Sequence, residues 1–355
     1  MTNYLLAGGG TAGHVNPLLA LATAIKQDSP SSKVWALGTA EGLEAKLVPA
    51  AGVELVTVER LPFPRKISGY ALSFPIRFLR AIRSVENFIK ANQVDVVVGF
   101  GGYASAPAYL AAKRCGVAVV VHEANALPGW ANKLGAKSAK AVGVAFKSTA
   151  LPKASFVGMP LRESIEAVAD FADRESARLH FGLDPDTVTL LVTGGSLGAK
   201  RINDTIVDSR KVLSAAGIQV LHIVGGRSEL EEVREKDYVR IAYCDRMDLA
   251  IAASNFAVSR AGASTVSEFA AVGLPAVYVP YPVGNGEQRF NVADIEAAGG
   301  GLVVADADFD AAFVATQLVP LISSSKALAD MSKKARQSGV ADGTARLLAL
   351  VKSVL

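Results

Sequence analysis

Short apolar runs alternate with longer amphipathic stretches along the first half of the chain. Six runs have the length and composition of buried parallel strands, at residues 4–7, 34–37, 53–58, 94–98, 117–121 and 141–144. Residues 18–26, 78–90 and 107–114 have helical periodicity and predict the connecting helices. Asn16 and Pro17 resemble a helix start, with Asn as the cap and Pro at the first helical position. The alternation predicts an α/β fold with a doubly wound parallel sheet.

The same alternation starts again in the second half of the chain. Further strands are predicted at residues 188–193, 219–224, 240–242, 256–259, 276–279 and 301–304. A chain of 355 residues, 50% of them hydrophobic, is long enough for two domains with sizeable cores. A boundary at Gly158-Met159-Pro160 gives an N-terminal domain of residues 1–158 and a C-terminal domain of residues 159–339. We therefore predict two Rossmann-like domains that face each other across a cleft.

Composition restricts the partners and the location of the protein. A net charge of +4 is too small to indicate nucleic acid binding, although a local basic patch could face an anion. The two cysteines, Cys115 and Cys244, are far apart and suit a reducing cytoplasm better than a disulfide framework. No apolar run approaches the roughly 20 residues of a membrane-spanning helix, and the N-terminus lacks signal-peptide features. We expect a cytoplasmic protein that meets any membrane substrate at the surface.

A glycine-rich turn follows the first predicted strand. Gly8, Gly10 and Gly13 have the spacing of the dinucleotide-binding fingerprint. That fingerprint also needs an acidic residue at the end of the second strand, where residues 38–39 carry no carboxylate, so an oxidoreductase is disfavoured. What remains is a loop that a ligand can approach closely, with His14 as a candidate functional group. The alternative for His14 is a helix-start histidine bonded to a local carbonyl.

Two turns in the second half have the composition of anion sites. Residues 194–198 open a helix whose N–H groups suit a phosphate, and Ser196 adds a hydroxyl donor. The alternative is a tight turn that needs glycine for positive φ. Residues 259–267 place small and hydroxylated side chains at another helix start. Glu268 follows about one turn into that helix, where its carboxylate can accept both ribose hydroxyls; without the phosphate site, it would be a glutamate favoured by the helix dipole.

Amide and carboxylate groups follow other predicted strands. Gln288 and Asn291 are three residues apart and share a helix face, and neutral amides suit sugar hydroxyls. His122 and Glu123 are candidate acid/base groups, and Asn125 is a candidate sugar ligand. The alternative for Gln288 and Asn291 is an ordinary loop and cap. A hydrogen-bonded loop is the alternative for His122, Glu123 and Asn125, and for His122 it is the favoured interpretation.

Basic and aromatic side chains are interleaved at residues 60–83. The basic residues are Arg60, Arg65, Lys66, Arg77, Arg80 and Arg83, among Leu61, Phe63, Tyr70, Phe74, Ile76, Phe78 and Leu79. This combination suits an anionic membrane surface. The usual alternative is an amphipathic helix with a solvated basic face.

Six motifs together carry a resemblance to a known family. They are Gly10-Thr11-Ala12-Gly13-His14-Val15-Asn16-Pro17, Gly99-Phe100-Gly101-Gly102-Tyr103-Ala104-Ser105, His122-Glu123-Ala124-Asn125, Gly194-Gly195-Ser196-Leu197-Gly198-Ala199, Ser259-Arg260-Ala261-Gly262-Ala263-Ser264-Thr265-Val266-Ser267-Glu268 and Gly286-Glu287-Gln288-Arg289-Phe290-Asn291. In this order, over essentially the full chain, they resemble glycosyltransferase family 28, the UDP-N-acetylglucosamine transferases of peptidoglycan synthesis.

The resemblance implies a GT-B fold, an inverting mechanism and no metal or other cofactor. The family's donor contacts correspond here to Thr11, Ala12, Gly13, Asn125, Arg162, Ser196, Cys244, Ala263, Ser264, Thr265, Val266, Ser267, Glu268 and Gln288. Cys244 lies where a backbone contact to uracil is expected. The acceptor would be lipid I, held by the N-terminal domain against the cytoplasmic leaflet, with residues 60–83 at the anionic membrane. A C-terminal helix at residues 340–355 is expected to pack back on this domain.

The resemblance also implies a single displacement, in which the muramyl 4-hydroxyl attacks the anomeric carbon as UDP leaves. His14 is the first candidate for the base and Glu123 the second. Helix N-termini and Arg162 would stabilise the leaving diphosphate, and no clear Asp-x-Asp metal motif is found. Three alternatives remain: an inverting transferase with another glycolipid acceptor, a UDP-N-acetylglucosamine epimerase, and a nucleotide-sugar-binding subunit without catalysis.

Overall fold

The computed structural model describes residues 1–64, 66, 68–170, 173–283 and 286–355. The chain forms two compact units. Unit 1 comprises Met1–Arg162 and Asp342–Leu355, and unit 2 comprises Glu163–Ala341. The predicted boundary at residues 158–160 lies just before Arg162, the last residue of the first segment of unit 1.

Unit 1 is built on a seven-stranded parallel sheet. Its strands are β1 (Asn3–Gly8), β2 (Lys33–Gly38), β3 (Glu54–Thr57), β4 (Val96–Gly101), β5 (Ala118–Glu123), β6 (Ala141–Val144) and β7 (Ala154–Phe156). The helices between them are α1 (Ala12–Asp28), α2 (Glu44–Ala50), α3 (Gly69–Ala91), α4 (Ser105–Cys115) and α5 (Trp130–Ala136). The sheet order is β3-β2-β1-β4-β5-β6-β7. The order reverses between β1 and β4, and in such sheets ligands bind at this switch point.

Alternating side chains of β1 fill a core on each face of this sheet. Leu5 packs in one apolar cluster, whereas Tyr4 and Leu6 pack in the other. The two clusters follow from the two-residue period of a strand that is covered on both sides.

Unit 2 repeats the architecture on a second seven-stranded sheet, in the order β10-β11-β9-β8-β12-β13-β14. Its elements are α6 (Glu163–Asp170), α7 (Arg174–Phe181), β8 (Val188–Thr193), α8 (Lys200–Asp208), α9 (Arg210–Ala215), β9 (Ile218–Ile223), β10 (Val233–Glu235), β11 (Tyr238–Ile241), α10 (Met247–Ala252), β12 (Phe256–Ser259), α11 (Ala263–Val272), β13 (Ala276–Tyr278), α12 (Glu287–Asn291), α13 (Ala293–Ala298), β14 (Gly301–Val303), α14 (Ala311–Phe313), a π-helical turn (Val314–Leu318), α15 (Val319–Ser323) and α16 (Ser325–Ser338). The pair β10–β11 is antiparallel and the other strand pairs are parallel. The switch point lies between β8 and β12.

The last helix, α17 (Gly343–Lys352), belongs to unit 1. Leu347 and Val351 are fully buried in the cluster that contains residues of α1 and β6. The Thr344 hydroxyl donates to the Leu161 carbonyl at 3.2 Å. Burial of these side chains therefore attaches the end of the chain to the sheet with which the chain begins.

The predicted fold class, two doubly wound parallel-sheet domains, is confirmed, but two local predictions need correction. Helix α1 does not start at Asn16 and Pro17: Thr11 is its N-cap and Pro17 lies inside it. The helix begins early because the Thr11 carbonyl already accepts from both His14 N–H and Val15 N–H at 3.1 Å. The three-residue strands β7 and β10 were not predicted, since their runs are too short for a period-2 pattern.

Among the described residues, no single helix is long and apolar enough to cross a membrane. One bent pair, Ala311–Ser323 with Ser325–Lys352, passes the same test of length and composition when the two are taken together.

Candidate active site

His14 lies in the first turn of α1, directly after the glycine-rich turn that leaves β1. Its Nδ1 is 3.0 Å from the Gly9 carbonyl oxygen and 3.3 Å from the Thr11 hydroxyl. A carbonyl oxygen only accepts, so the bond to Gly9 requires a proton on Nδ1. The neutral ring then carries its lone pair on Nε2, which is the arrangement a general base needs.

The turns that follow β1 and β4 pack together without room for side chains. Gly101 and Gly102 have φ values of +97° and +83°, which favour glycine. A Cβ atom on Gly101 would lie 3.1 Å from His14 Nε2, and one on Gly102 would lie 2.4 Å from the Gly9 oxygen. The Ser105 hydroxyl donates at 2.8 Å to the Ala7 carbonyl and so fixes the second turn to the end of β1. The imidazole is thus held at the switch point of unit 1.

Glu44, at the start of α2, is a buried carboxylate that the sequence patterns did not single out. Its side chain is 1% exposed. One oxygen accepts from Gly10 N–H at 2.8 Å, and the other accepts from Thr39 N–H at 2.9 Å and from the Thr39 hydroxyl at 2.7 Å. A Cβ atom on Gly9 would lie only 2.3 Å from the Glu44 carboxylate. The carboxylate that the sequence lacks at the end of β2 is therefore supplied by Glu44 of α2. This carboxylate binds the glycine-rich turn that follows β1.

Glu123, the second candidate base, is 2% exposed and bonded through both oxygens. One accepts from Asn125 N–H at 2.9 Å, and the other from Gly129 N–H at 3.0 Å and from the Asn132 amide at 2.9 Å. The Tyr109 hydroxyl donates to the other end of the Asn132 amide at 2.6 Å. These bonds orient the loop that carries Asn125, and of the two candidate bases they favour His14.

His122 is completely buried and lies on β5, not in the hydrogen-bonded loop that the favoured alternative predicted. Its Nε2 donates to the Gly158 carbonyl at 3.1 Å. Burial lowers the pKa of His122 to about 4, so the ring is neutral at physiological pH. The side chain therefore packs in the core and binds Gly158, near the end of the first segment of unit 1, and is not assigned to a proton transfer.

In unit 2, the turn after β8 is held open by glycines at positive φ. Gly195 and Gly198 have φ values of +81° and +84°. A Cβ atom on Gly198 would lie 2.2 Å from the Val224 oxygen, which follows β9. The Ser196 carbonyl accepts from Gly226 N–H at 3.0 Å, and the Ser196 side chain is exposed at the tip of the turn. The turn presents this hydroxyl and adjacent backbone at the carboxyl edge of the sheet.

The turn after β12 lies next to it in the sheet and begins α11 with Gly262 as the N-cap. Ala263, Ser264 and Thr265 form the first turn, where backbone N–H groups lack intrahelical partners. The side chains of Ala263 and Val266 are buried, so only their backbone can reach a ligand, whereas those of Ser264, Thr265, Ser267 and Glu268 are half-buried. Two hydroxylated turns therefore lie side by side at the switch point of unit 2.

Gln288 is brought to this turn by α12. Its carboxamide oxygen accepts from Ala261 N–H at 3.2 Å and from Tyr281 N–H at 2.9 Å, and Asn291 donates to the Ala261 carbonyl at 3.2 Å. The oxygen of Gln288 is thus used to brace the turn, which makes its amide nitrogen the group it can offer to a sugar. Arg260, another residue the patterns did not rank, donates to Asp306 at 2.5 Å and to the Val279 carbonyl at 3.1 Å.

The other predicted ligands lie at the ends of units and strands. Arg162 is exposed at the end of the first segment of unit 1, and Cys244 is buried in the loop between β11 and α10. Asn125 follows β5, and its carbonyl accepts from the Thr149 hydroxyl at 3.1 Å. Within the described part of the chain, no three His, Cys, Asp or Glu side chains form a group that could hold a metal ion.

The prediction was that no clear Asp-x-Asp metal motif is present; Asp-x-Asp spacings occur at residues 184–186, 306–308 and 308–310, and at least one acid of each has another partner. Asp184 accepts from Asp186 N–H at 2.9 Å in the turn before β8, at the opposite edge of the sheet from the glycine turn. Asp306, two residues before Asp308, accepts from Arg260.

Comparison with known proteins identifies the family to which this chain belongs. Residues 4–144 match the glycosyltransferase family 28 N-terminal domain, and residues 189–347 match the family's C-terminal domain. The chain belongs to glycosyltransferase family 28.

Relatives within the family cover the whole chain. The chain is 56% identical over 355 residues to the UDP-N-acetylglucosamine–N-acetylmuramyl-(pentapeptide) pyrophosphoryl-undecaprenol N-acetylglucosamine transferase of Leifsonia xyli, covering 100% of this chain and 99% of that protein. It is 46% identical to the Streptomyces coelicolor protein of the same name, over 98% and 97% of the two chains. The crystal structure of Acinetobacter baumannii MurG matches with a TM-score of 0.79 and 25% identity, over 99% and 100% of the chains.

A UDP-N-acetylglucosamine 2-epimerase of Neisseria meningitidis shares the fold at a TM-score of 0.68 but only 14% identity, over 99% and 100% of the chains. The architecture alone therefore does not separate transferase from epimerase.

Proposed function

We propose that this protein transfers N-acetylglucosamine from UDP-N-acetylglucosamine to the muramyl 4-hydroxyl of lipid I, with inversion, and so produces lipid II and UDP in peptidoglycan synthesis. The observation that carries the proposal is the 56% identity, along the whole chain, to a transferase named for this reaction. An imidazole with an available Nε2 and a pair of hydroxylated helix-start turns give the chain chemical groups that suit it.

The donor is assigned to unit 2. N–H groups at the start of α11, with hydroxyls from Ser196, Ser264 and Thr265, suit the diphosphate of the nucleotide sugar. Glu268, farther along the same helix, is assigned to the ribose hydroxyls, and the backbone at Cys244 to the uracil. Charge on the departing diphosphate is stabilised by the N-terminus of α11 and by Arg162. Asn125 and the Gln288 amide are assigned to hydroxyls of the sugar.

His14 is assigned as the general base. As the muramyl oxygen bonds to the anomeric carbon, its proton moves to Nε2, and the bond from that carbon to the diphosphate oxygen breaks. Thr11, the N-cap residue of the same helix, and Ala12 and Gly13 in its first turn are assigned to contacts with the donor. The already bonded Glu123 supports the loop of Asn125 instead.

The lipid surface is assigned to one face of α3. Leu72, Ile76 and Leu79 are 77%, 59% and 43% exposed, and Arg80 and Arg83 are exposed on the same face. The opposite face is buried in the core through Ala81, Ile82, Val85 and Ile89. An exposed apolar row bordered by arginines is the pattern of a helix that binds an anionic leaflet.

The remaining basic residues of residues 60–83 differ in what they can contribute. Arg77 donates to Glu59 from Nε at 2.9 Å and lies 5.2 Å from the centre of the Tyr70 ring, so its charge is largely matched within the protein. Arg60 lies 5.4 Å from the centre of the Tyr103 ring, and Lys66 is exposed. Arg65 lies outside the described residues. We therefore expect Arg80 and Arg83 to contribute more to membrane binding than Arg77. In this proposal the protein is peripheral at the inner face of the cell membrane.

Release of UDP, measured with and without a lipid I analogue, tests the reaction. We expect release that depends on the acceptor and continues in EDTA, as a metal-independent transferase requires. Consumption of the nucleotide sugar without an acceptor would instead indicate an epimerase, and binding without turnover would indicate a subunit that lacks catalysis.

A further inference from the structure

One peptide group joins Glu44 to His14. The Gly9 carbonyl and the Gly10 N–H belong to the same planar unit. The N–H donates to Glu44 at 2.8 Å, and the carbonyl is 3.0 Å from His14 Nδ1. A hydrogen bond from a peptide N–H to an anion polarises the peptide and strengthens its carbonyl as an acceptor. The carboxylate and the imidazole are therefore coupled without touching.

Glu44 has the charge that such a coupling requires. Burial raises the pKa of its carboxyl, but hydrogen bonds from Gly10 and Thr39 outweigh this effect and leave the pKa below its usual value. The carboxylate is therefore ionised at neutral pH and held in place by the amide of residue 10 and the two donors of residue 39.

We propose that Glu44 is a positioning residue for His14, acting through the Gly9–Gly10 peptide. It holds the ring in the tautomer with hydrogen on Nδ1, and it stabilises the imidazolium that forms when Nε2 accepts the proton of the acceptor hydroxyl. Glu44 remains ionised throughout and transfers no proton. This inference rests on the proposed role of His14 as the base of the transfer reaction.

Other groups near His14 define the competing explanations. The hydroxyl of Thr11, in the same turn as His14, is neutral and lies 3.3 Å from His14 Nδ1. On the side of β4 and α5, the Asn132 amide and His14 Nε2 both lie close to Gly101. The Asn132 amide is hydrogen-bonded to Glu123 and to the neutral hydroxyl of Tyr109. The described hydrogen bonds of Glu44, on α2, lead through the Gly9–Gly10 peptide to this ring, whereas those of Glu123, at the end of β5, lead to Asn132 and to its own loop.

Glu44→Gln keeps the shape of the side chain but replaces one accepting oxygen with an NH₂ group, which must face a donor. We expect kcat to fall about ten- to a hundredfold, while KM for UDP-N-acetylglucosamine stays within about twofold. The acid limb of the kcat profile should move to lower pH, because the imidazolium loses a stabilising charge.

Glu54→Gln is the matched control. Glu54, on β3 of the same sheet, accepts from Trp35 Nε1 at 3.1 Å, so the change removes the same charge from a hydrogen-bonded glutamate. Its kcat and pH profile should match those of the unmodified protein. An unmoved acid limb in Glu44→Gln, with only a lowered melting temperature, would mean that Glu44 has a structural role alone.

A double-mutant cycle separates action through His14 from independent action. In a His14→Ala background, Glu44→Gln should lower the residual turnover by less than about twofold. A loss that multiplies with the His14→Ala loss would overturn the inference.

A titration without substrate distinguishes this inference from the proposed reaction. The His14 imidazole resonance, assigned by its absence in His14→Ala, should titrate at lower pH in Glu44→Gln than in the unmodified protein or in Glu54→Gln. An unchanged titration refutes the coupling even if transfer to lipid I is observed. A shifted titration in a protein that transfers no sugar retains the coupling and refutes the proposed function.

Discussion

Replacing Leu72, Ile76 and Leu79 together with glutamine should release the protein from anionic vesicles. Full burial of one such side chain is worth about 1.5–3 kcal/mol. Weighted by exposed fractions of 77%, 59% and 43%, the three offer about 3–5 kcal/mol. Arg80 and Arg83 add about 2 kcal/mol at low salt. The apolar row is therefore the larger contribution, and its loss should weaken vesicle binding roughly a hundred- to a few thousandfold.

Co-sedimentation with phosphatidylglycerol vesicles, at low and high salt, measures both contributions. Arg80→Glu with Arg83→Glu should weaken binding by at least about thirtyfold at low salt, because the lost attraction is worth about 2 kcal/mol and the two new carboxylates add repulsion, and by much less at high salt. Arg77 is left unchanged in this variant because its replacement would also break the contact with Glu59.

Leu179→Gln with Val212→Gln is the control, since both residues are exposed on helices of unit 2. This variant should bind vesicles normally. Turnover of a short-chain, water-soluble acceptor should persist in every variant. If the glutamine triple variant still binds vesicles as tightly as the unmodified protein, α3 has only a solvated face and the docking surface lies elsewhere.

Three further predictions follow from the same contacts. His14→Ala should lower turnover by roughly two to four orders of magnitude with donor affinity near normal, and a surviving turnover with an unaltered pH profile would require another base. Glu268→Ala should raise the donor KM by an amount equivalent to about 1–3 kcal/mol, and an unchanged KM would refute the ribose assignment. Burial lowers the pKa of His122 to about 4, and burial with the Arg240 charge lowers that of His222 to about 3. Below about pH 6.5 the unfolded chain therefore binds more protons than the folded chain, and the free energy of unfolding should decline as pH falls from about 6.5 to about 3; urea midpoints that stay constant would contradict this.

The architecture was predictable because it depends on local patterns. Buried parallel strands read as continuous apolar runs, and the turns at both switch points carry glycines that a positive φ requires. The start of α1 was predicted wrongly because Asn16-Pro17 satisfies a local helix-start rule, whereas the Thr11 carbonyl begins the helix earlier.

The supporting polar contacts were not predictable in the same way. Glu44 is 34 residues from Gly10 in the sequence, and in its own segment it is an ordinary glutamate in the first turn of a helix. Its partners are known only once β1 and β2 are paired side by side. Asn132, which links Glu123 to Tyr109, depends in the same way on the packing of α5 against α4. Some of these partners are backbone groups, which nearly every residue type carries, so the sequence does not show which of them form the hydrogen bonds.

Transfer of labelled N-acetylglucosamine to two acceptors, with analysis of the product linkage, tests the central claim most directly. A lipid I analogue and diacylglycerol are offered separately, with UDP-N-acetylglucosamine as the donor. We predict a β-linked product on the muramyl 4-hydroxyl, formed with lipid I, strongly reduced in His14→Ala, and no product with diacylglycerol. Transfer to diacylglycerol, an α-linked product, or recovery of the label only as an epimerised nucleotide sugar would contradict the account.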